Sequence, residues 1–192
     1  PVAVGSEAAL AKLKAGNDRF VSSDVSAGKP TAAKRAETAN AQHPFAIILG
    51  CADSRVIPEI IFDQNIGDLF VIRTAGNLVD DHSLGSIEYA VEHLGARLVV
   101  VLGHESCGAV KAALADDHAA GHVQSLVRDI QPAVKATKGK PGDRLQLTVT
   151  EHARLMAGKI RSRVSLGDLA KEVQIMYGVY DLDTGKVEWG KD

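Results

Sequence analysis

The chain has 192 residues with a formal net charge of -2, and 45% of them are hydrophobic and 24% charged. That near-neutral balance offers no electrostatic footprint for nucleic acid. No segment reaches the roughly 18 uninterrupted apolar residues of a membrane span, so neither class of partner is expected. The length sustains one well-buried core. A single domain is therefore expected over residues 1–192, with 1–43 as an N-terminal helical arm and connector and 44–192 as the core.

The opening PVAVGSEAAL lacks the basic and then apolar pattern of a secretion leader, and a cytoplasmic location is expected. Cys51 and Cys107 are the only cysteines. Two thiols allow at most one bridge or one shared metal, not a disulfide framework.

From Ser6 to about Val21, residues Leu10, Leu13, Asn17, Phe20 and Val21 recur at helical spacing, with Ser6 as N-cap and Glu7 in the first turn. An amphipathic helix lying on something larger follows, either on the outside of the core or on a neighbouring subunit. Val25 to about His43 is a connector with room for one short helix.

Apolar runs at Phe45–Leu49, Leu69–Ile72, Leu98–Leu102 and Val173–Val179 predict buried strands. Between the second and third, Leu84, Ile87, Ala90, Val91 and Leu94 form a helical stripe that stops at Gly95. Strand, helix, strand in that order predicts parallel pairing. Further helices are predicted over about Val123–Val134 and Leu147–Val164, and VYDLDTGKVEW predicts a hairpin turning at Asp183-Thr184-Gly185. The expected fold is α/β, with about four parallel strands, an antiparallel edge strand and flanking helices.

Two clusters stand just past predicted strands: Cys51-Ala52-Asp53-Ser54-Arg55 after Gly50, and His104-Glu105-Ser106-Cys107-Gly108 after Gly103. Sites in open parallel sheets form outside the carboxyl ends of strands, so neighbouring strands would bring these clusters face to face. Cys51, His104 and Cys107 then supply two thiolates and an imidazole, a set suited to zinc that leaves a fourth, exchangeable position. The alternatives are two small buried cysteines beside a satisfied loop histidine, or a redox pair without a C-x-x-C spacing. Asp53 is near enough in sequence to Cys51 to be a further ligand, or else the acceptor of a bidentate pair with Arg55. His118 and His122 lie four apart, but the intervening Gly121 favours a solvated segment. His43, His82, His93 and His152 have no assigned role.

CADSR and HESC resemble the C-x-D-x-R and H-x-x-C signature of β-class carbonic anhydrases. The likeness continues through GDLFVIRTAGN at 67–77, SIEYAVEHLG at 86–95 and VVVLGHESCGAV at 99–110. The resemblance implies zinc-dependent hydration of CO2 to bicarbonate and a proton. It places zinc on Cys51, His104 and Cys107, with Asp53 and Arg55 as a gating dyad and Asp53 as fourth ligand in a closed form. Gln42, Phe70, Tyr89 and Gly108 would line a CO2 pocket at a subunit interface of a homodimer or homotetramer.

Two departures are visible. Thr74 replaces an asparagine common in the family, a change expected to be tolerated. Ile48 stands where the bicarbonate-regulated subgroup carries a tryptophan, which puts that regulation in doubt. Two other readings use the same residues: a zinc hydrolase acting on CS2 or COS, and a non-catalytic zinc-binding or thiol-sensing module.

Overall fold

The computed structural model describes residues 3–26, 31–115 and 118–190; the part of the connector at 27–30 lies outside them. Five strands form one sheet: β1 (Ala46–Cys51), β2 (Leu69–Thr74), β3 (Leu98–His104), β4 (Gln174–Tyr180) and β5 (Val187–Trp189). Their order is β2-β1-β3-β4-β5. The first four are parallel and β5 is antiparallel to β4, as expected from the strand and helix order and from the terminal hairpin.

The strands read as contiguous apolar runs because both faces of the sheet are covered. Ile47, Leu49, Val99, Val101 and Val179 pack on one side with α4 (Asp81–Leu94), α5 (Gly108–Ala115), α6 (Val123–Ala136) and α7 (Arg144–Arg163). Ala46, Ile48, Leu98, Val100 and Leu102 face the other side, where Ala9 and Leu13 of α1 (Ser6–Ser22) and Ile61 of α3 (Pro58–Ile61) close the layer. α1 thus packs on its own sheet. The connector holds one short helix, α2 (Ala32–Thr38), capped by the Thr31 side chain.

Several boundaries differ from the sequence expectation. Gly5, not Ser6, is the N-cap of α1, and it makes no side-chain cap bond. α7 begins at Arg144, because Asp143 accepts hydrogen bonds from the Leu145 and Gln146 amides and so captures an extra turn before Leu147. α3, α5 and a 3-10 turn at Gly167–Lys171 were not anticipated; each is too short to display a helical period. Gly95 does end α4, at φ 76°. The most consequential difference is at the strand ends. β1 continues through Gly50 and Cys51, which pair with Arg73 and Thr74, and β3 runs on to His104 beside Tyr180. Both residues are therefore held by sheet hydrogen bonding, not by loops.

Asn17 ties distant parts of the chain together. Its side-chain amide donates to the carbonyls of Ile61 (3.2 Å) and Gly185 (2.8 Å) and accepts from the Val187 amide (2.9 Å), so α1, α3 and the β4–β5 hairpin share one buried polar group.

Candidate metal centre

β1 and β3 are neighbours, and their carboxyl ends bring Cys51, His104 and Cys107 together. The three side chains are buried, and their ligand atoms all lie within 4.8 Å of one another. The loop that returns Cys107 toward His104 turns at Ser106, which adopts φ 55°. It is anchored by Glu105, whose amide donates to the Tyr180 carbonyl (2.8 Å) and whose carboxylate accepts from the Leu182 amide (3.2 Å).

Each donor is prepared for a cation. His104 Nδ1 lies 2.8 Å from the Glu105 carbonyl. A carbonyl can only accept, so Nδ1 carries the hydrogen, and in the neutral imidazole Nε2 then presents a bare lone pair. That Nε2 is buried and has no hydrogen-bond partner among the described residues. The Cys51 sulfur accepts from the Asp53 amide (3.4 Å) and the Gly76 amide (3.3 Å). Its acidity is raised chiefly by the Cys107 thiol against it, with His104 and these two amides adding to the effect and burial opposing it. The Cys107 thiol is pushed up by the same contact, so the pair shares one proton. The amides of Val110 and Ala109 at the start of α5 partly offset this at Cys107. Two sulfurs and one imidazole nitrogen in this arrangement fit zinc, which favours such soft and borderline donors.

Asp53 and Arg55 stand at the rim of the cluster. Arg55 donates through Nε to Oδ1 (2.9 Å) and through Nη2 to Oδ2 (2.7 Å), and its amide donates to Oδ1 (3.0 Å). This pairing holds the Asp53 carboxyl well below the usual carboxylate range. Asp53 Oδ2 remains 3.9 Å from His104 Nε2.

Arg73, Gly76 and His152, given no role from the sequence, complete the surroundings together with Thr74. Arg73 donates from Nε to the Cys51 carbonyl (2.9 Å) and from Nη2 to the Asp53 carbonyl (2.6 Å), pinning the backbone between Cys51 and Asp53. Gly76 gives Cys51 its amide, and the buried His152 contacts the Gly76 carbonyl through Nε2 (2.8 Å). Thr74 both donates to the Leu78 carbonyl and accepts from its amide, which closes the turn carrying Gly76.

The pocket residues are dispersed. Phe70 on β2 and Tyr89 on α4 face one another at a centroid distance of 6.4 Å, and Tyr89 also meets His93 at 5.1 Å. Phe70 pairs with Ile47, four residues before Cys51 on β1, which is about 13 Å along the strand. Gln42 is exposed ahead of β1, and Gly108 is exposed beside Cys107. His118 and His122 are both exposed, and the ligand cluster does not include them.

A mostly parallel sheet carrying a buried Cys-His-Cys set at the ends of two adjacent strands defines an α/β protein with a candidate metal centre. Comparison with known proteins gives the family. The family model described as carbonic anhydrase matches residues 46–187. Carbonic anhydrase 2 of Mycobacterium tuberculosis is 44% identical over 190 residues, covering 93% of this chain and 90% of that protein. The carbonic anhydrase of Mycolicibacterium smegmatis is 40% identical over 188 residues, covering 94% and 91%. Among solved structures, the Coccomyxa β-carbonic anhydrase in complex with acetazolamide superposes with a TM-score of 0.72 at 29% identity, over 80% of this chain and 75% of that one. This chain belongs to the β-class carbonic anhydrase family.

Proposed function

We propose that this chain catalyses the zinc-dependent, reversible hydration of CO2 to bicarbonate and a proton, with Cys51, His104 and Cys107 as its zinc ligands. The observation that carries this reading is the bare, buried His104 Nε2 facing two buried sulfurs, all within 4.8 Å. Bound zinc would supply the Lewis acidity that makes water a nucleophile near neutral pH.

The chain's own groups do the rest. Arg55 occupies both oxygens of Asp53 and keeps that carboxylate ionised and turned from the cluster. Asp53 Oδ2, the oxygen 3.9 Å from His104 Nε2, is then placed to accept the hydrogen of the attacking nucleophile and so to aim its lone pair. Arg73 fixes the peptide that carries Asp53, which limits where the carboxylate can move.

Phe70, Tyr89, Gln42 and Gly108 form the proposed CO2 pocket, shared between subunits of a homodimer or homotetramer. The separation of the Phe70–Tyr89 pair from the sulfur on its own β1 supports contribution from a neighbour. No helix among the described residues is long and apolar enough to cross a membrane. A cytoplasmic location remains part of the proposal, tested by cell fractionation.

Stopped-flow CO2 hydration on protein of measured zinc content is the deciding experiment. A rate far above buffer with one zinc per chain supports the reading. Stoichiometric zinc without turnover would favour a binding module, and faster turnover of CS2 or COS a related hydrolase.

A further inference from the structure

Among the described residues, His152 is the one histidine outside the proposed ligand set that is buried, with 1% of its surface exposed. It lies on α7, 101 positions after Cys51 in the sequence, on the helix face that covers the sheet. Nothing in the proposed chemistry employs it. Its Nε2 is 2.8 Å from the Gly76 carbonyl. Because that oxygen only accepts, the ring carries its hydrogen on Nε2. Burial lowers the affinity of the ring for a second proton, so the imidazole is a neutral, single donor.

Gly76 is a narrow hinge. Its φ is 76°, and a Cβ there would sit 3.1 Å from both the Ala109 and Ile130 side chains. The residue thus presents its backbone at close quarters on two sides, with the carbonyl toward His152 and the amide toward the Cys51 sulfur at 3.3 Å. A carbonyl left without a donor at this depth is destabilised and would turn to find one. The Gly76 amide and carbonyl lie in successive peptides joined at one α-carbon, so a turn that re-aims the carbonyl by moving that carbon would draw the amide from the sulfur.

We propose that His152 is a positioning residue for the metal centre: by holding the Gly76 carbonyl it aims the Gly76 amide at the Cys51 thiolate and so sets how that sulfur binds metal. The inference rests on the metal reading above. Groups hydrogen-bonded directly to a ligand, as the Gly76 amide is to Cys51, commonly alter metal affinity by about 10- to 100-fold when lost, and this bounds the effect of His152 acting through that amide. Leucine fills a similar volume without a donor, whereas glutamine places an amide N–H near the position of the imidazole Nε2.

Wild-type, His152→Leu and His152→Gln proteins are stripped of metal and titrated with zinc against a chromophoric chelator. Cobalt(II) is loaded in parallel, and the sulfur-to-cobalt charge-transfer band is read. The expected result is zinc affinity lowered about 10- to 100-fold with a shifted band in His152→Leu, and recovery of both in His152→Gln. Native affinity and an unshifted band in His152→Leu, or a His152→Gln protein as weak as His152→Leu, would overturn the inference. Should His152→Leu not fold, His152→Met gives the same donor-free comparison with a more adaptable side chain. Failure of the wild type itself to bind zinc would defeat the metal reading instead.

Discussion

Arg55 grips both carboxylate oxygens of Asp53 at 2.9 and 2.7 Å, although only one residue separates them in the chain. A fork of this kind needs a planar guanidinium, and a lysine cannot reproduce it. Arg55→Ala should therefore retain zinc yet lose nearly all CO2 hydration, because the freed carboxylate turns into the cluster. Arg55→Lys should not restore the rate. A crystal structure of Arg55→Ala should place an Asp53 oxygen about 2.0–2.2 Å from zinc. Near-native turnover in Arg55→Ala would show that Asp53 is only a neighbour.

The proposed ligand set has no spare member. Cys51→Ala, His104→Ala and Cys107→Ala should each fall well below one zinc per chain by elemental analysis and lose hydration activity, while far-UV circular dichroism keeps its α/β signature. Stoichiometric zinc in Cys107→Ala would remove that residue from the assignment.

Gly76→Ala tests the turn from the other side. An alanine at φ 76° costs of order 1–3 kcal/mol, and its Cβ would press on Ala109 and Ile130 besides. A lowered melting temperature together with weakened zinc binding is expected. A variant as stable as the wild type would mean that the turn relaxes freely.

Burial of His152 also shapes the acid limb of stability. Its proton affinity is lowered in the native state, so below the ordinary histidine pKa of about 6.5 the unfolded chain binds more protons than the native one. Stability should therefore be complete above that value and decline as pH falls through it. With a chelator present throughout, urea midpoints of the wild type should drop between pH 7 and 5. The drop should be smaller in His152→Gln, and identical profiles would argue that the ring charges without unfolding.

Both faces of β1 and β3 are covered, which is why their contiguous apolar runs were readable as parallel strands, and CADSR and HESC announced their chemistry because each is short and sits where a strand ends. Asp53 and Arg55 were equally legible, being neighbours in the chain. Arg73, Gly76 and His152 were not, since each acts across the fold: Arg73 reaches back 20 and 22 residues, and His152 meets a carbonyl 76 residues away. No local pattern marks such a pair. α5 escaped notice because eight residues starting at a glycine show barely two turns, and Cys51 and His104 were placed in loops because glycines precede both, yet the pairing continues through them.

The Asn17 amide gives the chain a particular order of assembly. It belongs to α1, but two of its three partners, the Gly185 carbonyl and the Val187 amide, lie 168 and 170 residues further along the chain. Until the β4–β5 hairpin forms, α1 cannot fully satisfy that side chain, and the layer that Leu13 enters lacks Val187. Contacts of such long range are slow to form. Docking of α1 is thus tied to completion of the β4–β5 hairpin, and a chain whose hairpin has not yet formed would expose the apolar face of α1 to whatever holds unfinished proteins in solution.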